Sequence, residues 1–259
     1  MADARGQATQ DEITSDQYLE EYKPSFVDKW DELINWEGRE KGEDGFFTKL
    51  LNEYGCKRVL DAATGTGFHA VMLKRDGFDV VAADGAEEMI RKTKENAAAW
   101  NTEFPAIVAD WRELSASIDG QFDAIVCLGN AFTHLFDEDD RVKTLAEFRR
   151  ALRPGGILVI DQRNYDSILD QGFNSKHSYY YVGKEVDARP IEIDDNAVKF
   201  EYSFPDGSKH HLTMFPIRAS KMTALLKDAG FKDLKTYGDF KAEYDPNDAD
   251  FLVHVAVAG

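Results

Sequence analysis

Short apolar runs alternate with amphipathic stretches through the middle of the chain, and the alternation predicts strand and helix in repeating order. Runs at 57–61, 78–83, 122–128 and 157–161, with a shorter one at Ile107 and Val108, have the length and β-branched content of strands. Between them, 67–76, 86–99 and 138–151 space their apolar residues along one helical face. Such β-α alternation specifies an α/β domain: a doubly wound, mostly parallel sheet covered by helices on both faces. Pro154, Gly155 and Gly156 turn the chain into the strand at 157–161.

The pattern differs at both ends of this block. Residues 1–14 are small, polar and aperiodic, and predict a disordered arm ahead of a domain spanning 15–259. Tyr18, Tyr22, Phe26, Trp30, Leu33 and Ile34 lie near helical spacing behind a cap at Ser15 or Asp16. Pro24 interrupts them, so two short helices are predicted, then another over 46–54 ended by Gly55. From about 177 to 217 the period becomes two. Tyr179 to Val182, Val198 to Phe204 and His211 to Phe215 read as antiparallel strands, the last two joined at Pro205-Asp206-Gly207-Ser208 as a hairpin. This predicts a small antiparallel β lid inserted into the domain. A helix over 219–229 and strands near 231–237 and 251–258 complete the chain.

Chemistry concentrates in Arg58-Val59-Leu60-Asp61-Ala62-Ala63-Thr64-Gly65-Thr66-Gly67, a strand and Gly-rich turn leading into a helix. That arrangement lets backbone approach a nucleotide, and Asp84, ending the second strand, has the spacing to bind ribose hydroxyls. Gly65-Thr66-Gly67-Phe68-His69-Ala70 satisfies G-x-G-x-x-A, so a nicotinamide oxidoreductase is a rival reading. Three features favour S-adenosylmethionine. Asp61 opens the turn with a carboxylate suited to an ammonium, where a pyrophosphate would tolerate no charge. Asp110 and Trp111 follow the third strand, able to meet an adenine amino group and cover the base. Leu152-Arg153-Pro154-Gly155-Gly156 is a turn that recurs in methyltransferases.

Charge narrows the partners. The 259 residues carry 48 acidic and 31 basic side chains, a formal charge of -17, which repels nucleic acid and anionic membranes. Two cysteines, Cys56 and Cys127, suggest neither a disulfide framework nor a zinc site, and no metal is expected. No run reaches the roughly 20 apolar residues of a membrane span, so a cytoplasmic enzyme is the expectation.

From about Tyr18 to its end the chain resembles the class I methyltransferases with a Rossmann-like fold, and more narrowly the glycine N-methyltransferase family, above all its microbial glycine/sarcosine branch. The generic part is Lys57 to Gly67; the specific parts are Phe122-Asp123-Ala124-Ile125-Val126-Cys127-Leu128-Gly129-Asn130-Ala131-Phe132-Thr133-His134-Leu135, Leu158-Val159-Ile160-Asp161-Gln162-Arg163-Asn164-Tyr165-Asp166 and Tyr237-Gly238-Asp239-Phe240-Lys241. The resemblance implies that Tyr22, Trp30 and Arg39 contact the cofactor from the N-terminal segment, with Ala63, Asp84, Asp110, Trp111, Leu128 and His134 lining the rest. Gly65 belongs to the same turn. It further implies that Asn130, Arg163 and Tyr202 hold the amino acid, with Tyr180 or Tyr181 also facing it. The implied activity is methyl transfer to glycine and then sarcosine in betaine synthesis; another small amine, such as dimethylglycine, is the alternative substrate. The animal members are tetramers, which raises a homo-oligomer here.

The implied roles are chemically apt. An Arg guanidinium binds a carboxylate through two parallel hydrogen bonds. Asn130's carbonyl could accept from the substrate amine and aim its lone pair at the methyl group. Asn/Asp-Pro-Pro-aromatic, frequent where nucleic-acid bases are methylated, is replaced here by Leu128-Gly129-Asn130-Ala131-Phe132. No residue is assigned as general base.

Overall fold

The computed structural model describes residues 13–174 and 185–259. Its centre is a seven-stranded sheet. Five parallel strands, β1 (Arg58–Asp61), β2 (Asp79–Asp84), β3 (Ala106–Val108), β4 (Phe122–Cys127) and β5 (Leu152–Arg163), are followed on the far edge by antiparallel β10 (Phe251–Ala258) and β9 (Phe231–Gly238). The order is β3-β2-β1-β4-β5-β10-β9. The winding direction reverses between β1 and β4, and open α/β sheets bind ligands at the carboxyl ends of the strands flanking such a reversal.

Both sheet faces are buried, which explains the unbroken apolar runs. Leu60, Ile125, Cys127, Leu158 and Ile160 pack on one side against α8 (Glu138–Ala151) and α10 (Ala219–Asp228). Val59, Ala124, Val126, Ile157 and Val159 pack on the other against α5 (Phe46–Glu53) and α6 (Phe68–Arg75). Helix α7 (Glu87–Ala99) joins β2 to β3. The predicted strands and helices of this block are all present. β5 is longer than expected because the Pro154-Gly155-Gly156 turn lies inside it, absorbed by a shift of register against β4 and a positive φ at Gly155.

The N-terminal segment departs from expectation. Three short helices, α1 (Gln17–Glu21), α2 (Pro24–Val27) and α3 (Trp30–Ile34), replace the predicted two, and an unpredicted fourth, α4 (Trp36–Glu43), follows. Pro24 starts a helix at its first turn, where its missing N–H costs nothing. Asn35 ends α3 in the left-handed region (φ 47°) and caps α4 by accepting the Gly38 N–H at 3.2 Å. Helix α9 (Tyr165–Gln171), capped by Asn164, was also unanticipated.

The described part of the inserted segment is an antiparallel sheet of β6 (Asp187–Ile193), β7 (Val198–Ser203) and β8 (Lys209–Met214). The β7–β8 hairpin turns through Gly207 at φ 84°, as expected. β6 was not foreseen, because it is an exposed edge strand interrupted by Pro190. The strand expected at Tyr179 to Val182, with Tyr180 and Tyr181, lies outside the described residues, as does nearly all of the expected disordered arm. The apolar faces of β7, β8 and the N-terminal helices form their own core around Phe26, Trp30, Phe200 and Tyr202.

Candidate active site

The turn after β1 begins with two bonds that tie it to neighbouring strands: Ala62 N–H to the Val126 carbonyl (2.8 Å) and Thr64 N–H to the Ala83 carbonyl (2.9 Å). The backbone then passes through Gly65 (φ 55°) and Gly67 (φ 94°), the latter opening α6. A Cβ at Gly67 would stand 3.1 Å from Thr93 Cγ2, so glycine serves both the dihedral and the close approach of α7. Asp84 braces the same turn. One carboxylate oxygen accepts the Gly65 N–H and the other the Ala86 N–H, each at 2.9 Å. Burial pushes this carboxyl up to about 7, against the pull of those two N–H groups.

Above the turn lies a cavity walled by the N-terminal helices and by residues at the carboxyl ends of β1, β2 and β4. Ten of the residues named from the sequence line it: Tyr22, Trp30, Arg39, Ala63, Gly65, Asp84, Asp110, Trp111, Leu128 and His134. Asp61 does not. It is fully buried beneath the turn, and neither carboxylate oxygen reaches hydrogen-bond geometry with a described residue, although the Thr64 hydroxyl and Ala63 N–H lie close. Burial raises its pKa, partly opposed by His69 and Arg39.

Two of these lining residues have their polar groups engaged within the protein. Asp110 lines the cavity, yet its carboxylate is bound to Arg112, whose N–H and Nε reach Oδ1 at 2.8 and 3.0 Å and whose Nη2 reaches Oδ2 at 2.8 Å. Arg112 outweighs burial and holds this carboxyl below its ordinary range. Trp111 turns its indole N–H to the Ala62 carbonyl, fixing the ring beside the turn.

The roof is the N-terminal segment. Tyr22 pairs through its hydroxyl with His134 Nε2 at 3.1 Å, and its ring lies edge-on to Trp30 at 5.3 Å. Burial pushes His134 down to about 4, so the imidazole is neutral at pH 7. Tyr18, one turn before Tyr22, also lines the cavity, and a Cβ at Gly85 would collide with its hydroxyl. Tyr18, Thr66 and His69 were not singled out from the sequence; the helical spacing of Tyr18 to Tyr22 was the available signal for the first.

Asn130, Arg163 and Tyr202 come together behind the cavity wall. Gly129 and Ala131 line the cavity, while Asn130 between them is fully buried at φ 64°. Its backbone N–H donates to Asp161 (2.7 Å), its amide NH2 donates to the Tyr165 hydroxyl oxygen (2.8 Å), and its carbonyl accepts the Arg163 backbone N–H (2.9 Å). The oxygen expected to receive a substrate amine therefore already holds one bond, and only its second lone pair suits that role. The Arg163 guanidinium carbon stands 4.5 Å from the Phe200 ring centre and 5.1 Å from that of Phe251. Burial pushes the Tyr202 phenol up to about 12, with the positive charge of Arg163 opposing it. Tyr165 and Asp161 were missed as members of this cluster, since only the packing of β5 beside β4 brings them to Asn130.

No cluster of metal-ligating side chains occurs among the described residues, and no helix there is long and apolar enough to cross a membrane.

A family model described as a methyltransferase domain matches residues 59–156. The chain is 54% identical to the glycine/sarcosine N-methyltransferase of Aphanothece halophytica, over 93% of this chain and 91% of that one. It is 53% identical to the glycine/sarcosine N-methyltransferase of Halorhodospira halochloris, over 93% and 90%. Among solved structures, an S-adenosylmethionine-dependent methyltransferase from Clostridium acetobutylicum superposes with a TM-score of 0.73 at 20% identity, covering 91% of this chain and 98% of that one. That last likeness is one of fold.

Proposed function

The chain belongs to the glycine/sarcosine N-methyltransferase family, and on that premise we propose that it transfers methyl groups from S-adenosylmethionine to the nitrogen of glycine, giving sarcosine, and of sarcosine, giving dimethylglycine. Asn130 carries this reading within the site. It is flanked by two residues that line the cavity, and its side chain fastens the backbone of Arg163, so one buried residue links the cofactor pocket to the strand end that carries the guanidinium. The nicotinamide alternative falls with the family.

The residues present fit the cofactor. The buried Asp61 carboxylate, without a hydrogen-bond partner among the described residues, suits the ammonium of a methionine moiety lying over the turn. Asp84 lines the cavity with a carboxylate suited to ribose hydroxyls. Leu128, Ala63 and Trp111 supply apolar walls for a base. When bound, S-adenosylmethionine supplies a methyl group on positively charged sulfur, an electrophile already activated.

The chain's own task is then orientation. Arg163 would take the carboxylate of glycine or sarcosine, and Tyr202 would close the pocket beside it. The second lone pair of the Asn130 carbonyl would take an amine hydrogen, directing the nitrogen lone pair toward the cavity. Alignment of this kind lowers barriers by on the order of 7–11 kcal/mol. Charge disperses as a neutral amine meets a sulfonium, so aromatic rings and oxygen atoms around the site suffice as its surroundings. The neutral amine is taken to form in water, with no side chain assigned as base. We place the enzyme in the cytoplasm, in synthesis of the osmolyte betaine, acting on small molecules and not on nucleic acid; a homo-oligomer is its proposed assembly.

The test is methyl transfer from labelled S-adenosylmethionine to glycine, sarcosine and dimethylglycine in turn. Transfer to the first two is expected. Transfer to some other small amine, with none to glycine or sarcosine, would overturn the substrate and leave the fold.

A further inference from the structure

Arg39 and His69 reach the cavity from two different helices, α4 of the N-terminal segment and α6 of the core. Glu43, which does not line the cavity, lies behind both. A single carboxylate oxygen, Oε1, accepts Arg39 Nε at 2.7 Å and stands 3.0 Å from His69 Nε2. All three side chains are at least nine-tenths out of solvent, with residue exposures of 4%, 8% and 8% for Arg39, Glu43 and His69. The imidazole is boxed edge-on by Phe47 and Phe68, at 5.2 and 5.0 Å between ring centres. A carboxylate is costly to bury unless its partners hold it in place. Here burial would raise its pKa, and the attraction and hydrogen bonds of its two partners, His69 and Arg39, more than reverse that, keeping the ionised form.

We propose that Glu43 and His69 are positioning residues for the amino-acid end of the cofactor, locking Arg39 so that its guanidinium meets the methionine carboxylate in a fixed orientation. The inference rests on the reading that Arg39 contacts the cofactor. Its physical content is geometric. A guanidinium anchored through Nε has its plane set, and the terminal pair of nitrogens forms the edge that matches a carboxylate in bidentate fashion. His69 shares the same oxygen of Glu43, so it prevents that carboxylate from swinging on its own side-chain torsions. The contact also joins α4 to α6, so the N-terminal roof is seated on the core close to Asp61, whose buried carboxylate feels both His69 and Arg39.

Two ligands separate this role from a general structural one. S-Adenosylhomocysteine carries the amino-acid end, and 5′-methylthioadenosine has the same nucleoside and sulfur without it. Titration calorimetry with Glu43→Ala is expected to show about tenfold or greater weakening for S-adenosylhomocysteine, the loss typical of a charged hydrogen bond, with 5′-methylthioadenosine unchanged within about twofold. Glu43→Gln, which keeps an acceptor oxygen, should recover most of the difference. His69→Phe keeps a ring between Phe47 and Phe68 but removes the N–H, and should show the same selective loss in smaller measure; it decides the matter alone if Glu43→Ala fails to fold. Equal weakening of both ligands, or of neither, in these variants overturns the inference. Arg39→Ala reports on the underlying reading: if it too lacks selectivity, that reading fails, whereas a selective Arg39→Ala beside unselective Glu43→Ala and His69→Phe removes only the positioning role.

Discussion

The side-chain carbonyl of Asn130 accepts the backbone N–H of Arg163 at 2.9 Å, which sets the end of β5 against the turn that follows β4. With the amide NH2 on the Tyr165 hydroxyl, the Asn130 side chain is oriented from both ends. Asn130→Ala would leave the buried Arg163 N–H unsatisfied, at about 1–3 kcal/mol, and take one partner from the Tyr165 hydroxyl, which keeps Thr133. The expected result is a fall of at least about tenfold in kcat/KM for glycine, with S-adenosylhomocysteine affinity little changed. Steady-state kinetics beside calorimetry checks it; equal losses in both would make Asn130 a structural support of the whole site.

Arg163 is enclosed by aromatic rings, and a point charge does not reproduce its planar fork. Arg163→Lys should raise the glycine KM strongly, by a factor corresponding to about 1.5–3 kcal/mol for a charge-assisted bond, while cofactor affinity stays as it was. Unchanged glycine kinetics would remove Arg163 from carboxylate binding.

Much of this arrangement was legible in the sequence, and the illegible part has a common cause. The βαβ units announce themselves because both sheet faces are buried and glycines punctuate the turns. The cavity-lining residues at strand ends follow from that frame. Asp110 was read as a cofactor ligand without Arg112, two residues on, which takes up its carboxylate. Glu43 and His69 are 26 positions apart and meet only because α4 packs on α6. The four-helix course of the N-terminal segment depends on a left-handed Asn35, a conformation that local spacing does not announce.

Asp84 gives the site a pH dependence. Its carboxyl is raised from an ordinary 3.8 to about 7, and ribose hydroxyls are better held by the ionised form. Affinity for S-adenosylhomocysteine should therefore rise between about pH 6 and pH 8, and Asp84→Asn should weaken binding and flatten that rise. Stability of the ligand-free protein runs the other way. A carboxyl whose pKa is raised by folding stabilises most where it is protonated, below about pH 4, and loses that contribution as pH rises through about 7. The melting temperature of Asp84→Asn relative to the parent should accordingly be higher at pH 8 than at pH 5, on top of any constant loss from the second N–H bond that an amide cannot accept. A difference in melting temperature that is the same at both pH values would show that Asp84 titrates elsewhere.

Glu21 ties the roof of the cavity to the lid. One carboxylate oxygen accepts the Thr213 hydroxyl at 2.7 Å and the other the Thr213 backbone N–H at 3.0 Å, joining α1 to β8. Tyr18 within α1 and Tyr22 at its end both line the cavity, so a ligand leaving past them must lift this helix. Thr213→Val removes the hydroxyl bond, keeps the N–H bond and preserves the shape of the side chain. A hydrogen bond to a charged group contributes about 1.5–3 kcal/mol; if α1 must lift for release, S-adenosylhomocysteine should dissociate about tenfold faster in stopped-flow displacement. The glycine KM should hold, because Thr213 touches none of Asn130, Arg163 or Tyr202 through this bond. An unchanged dissociation rate would mean that the cofactor leaves without disturbing α1.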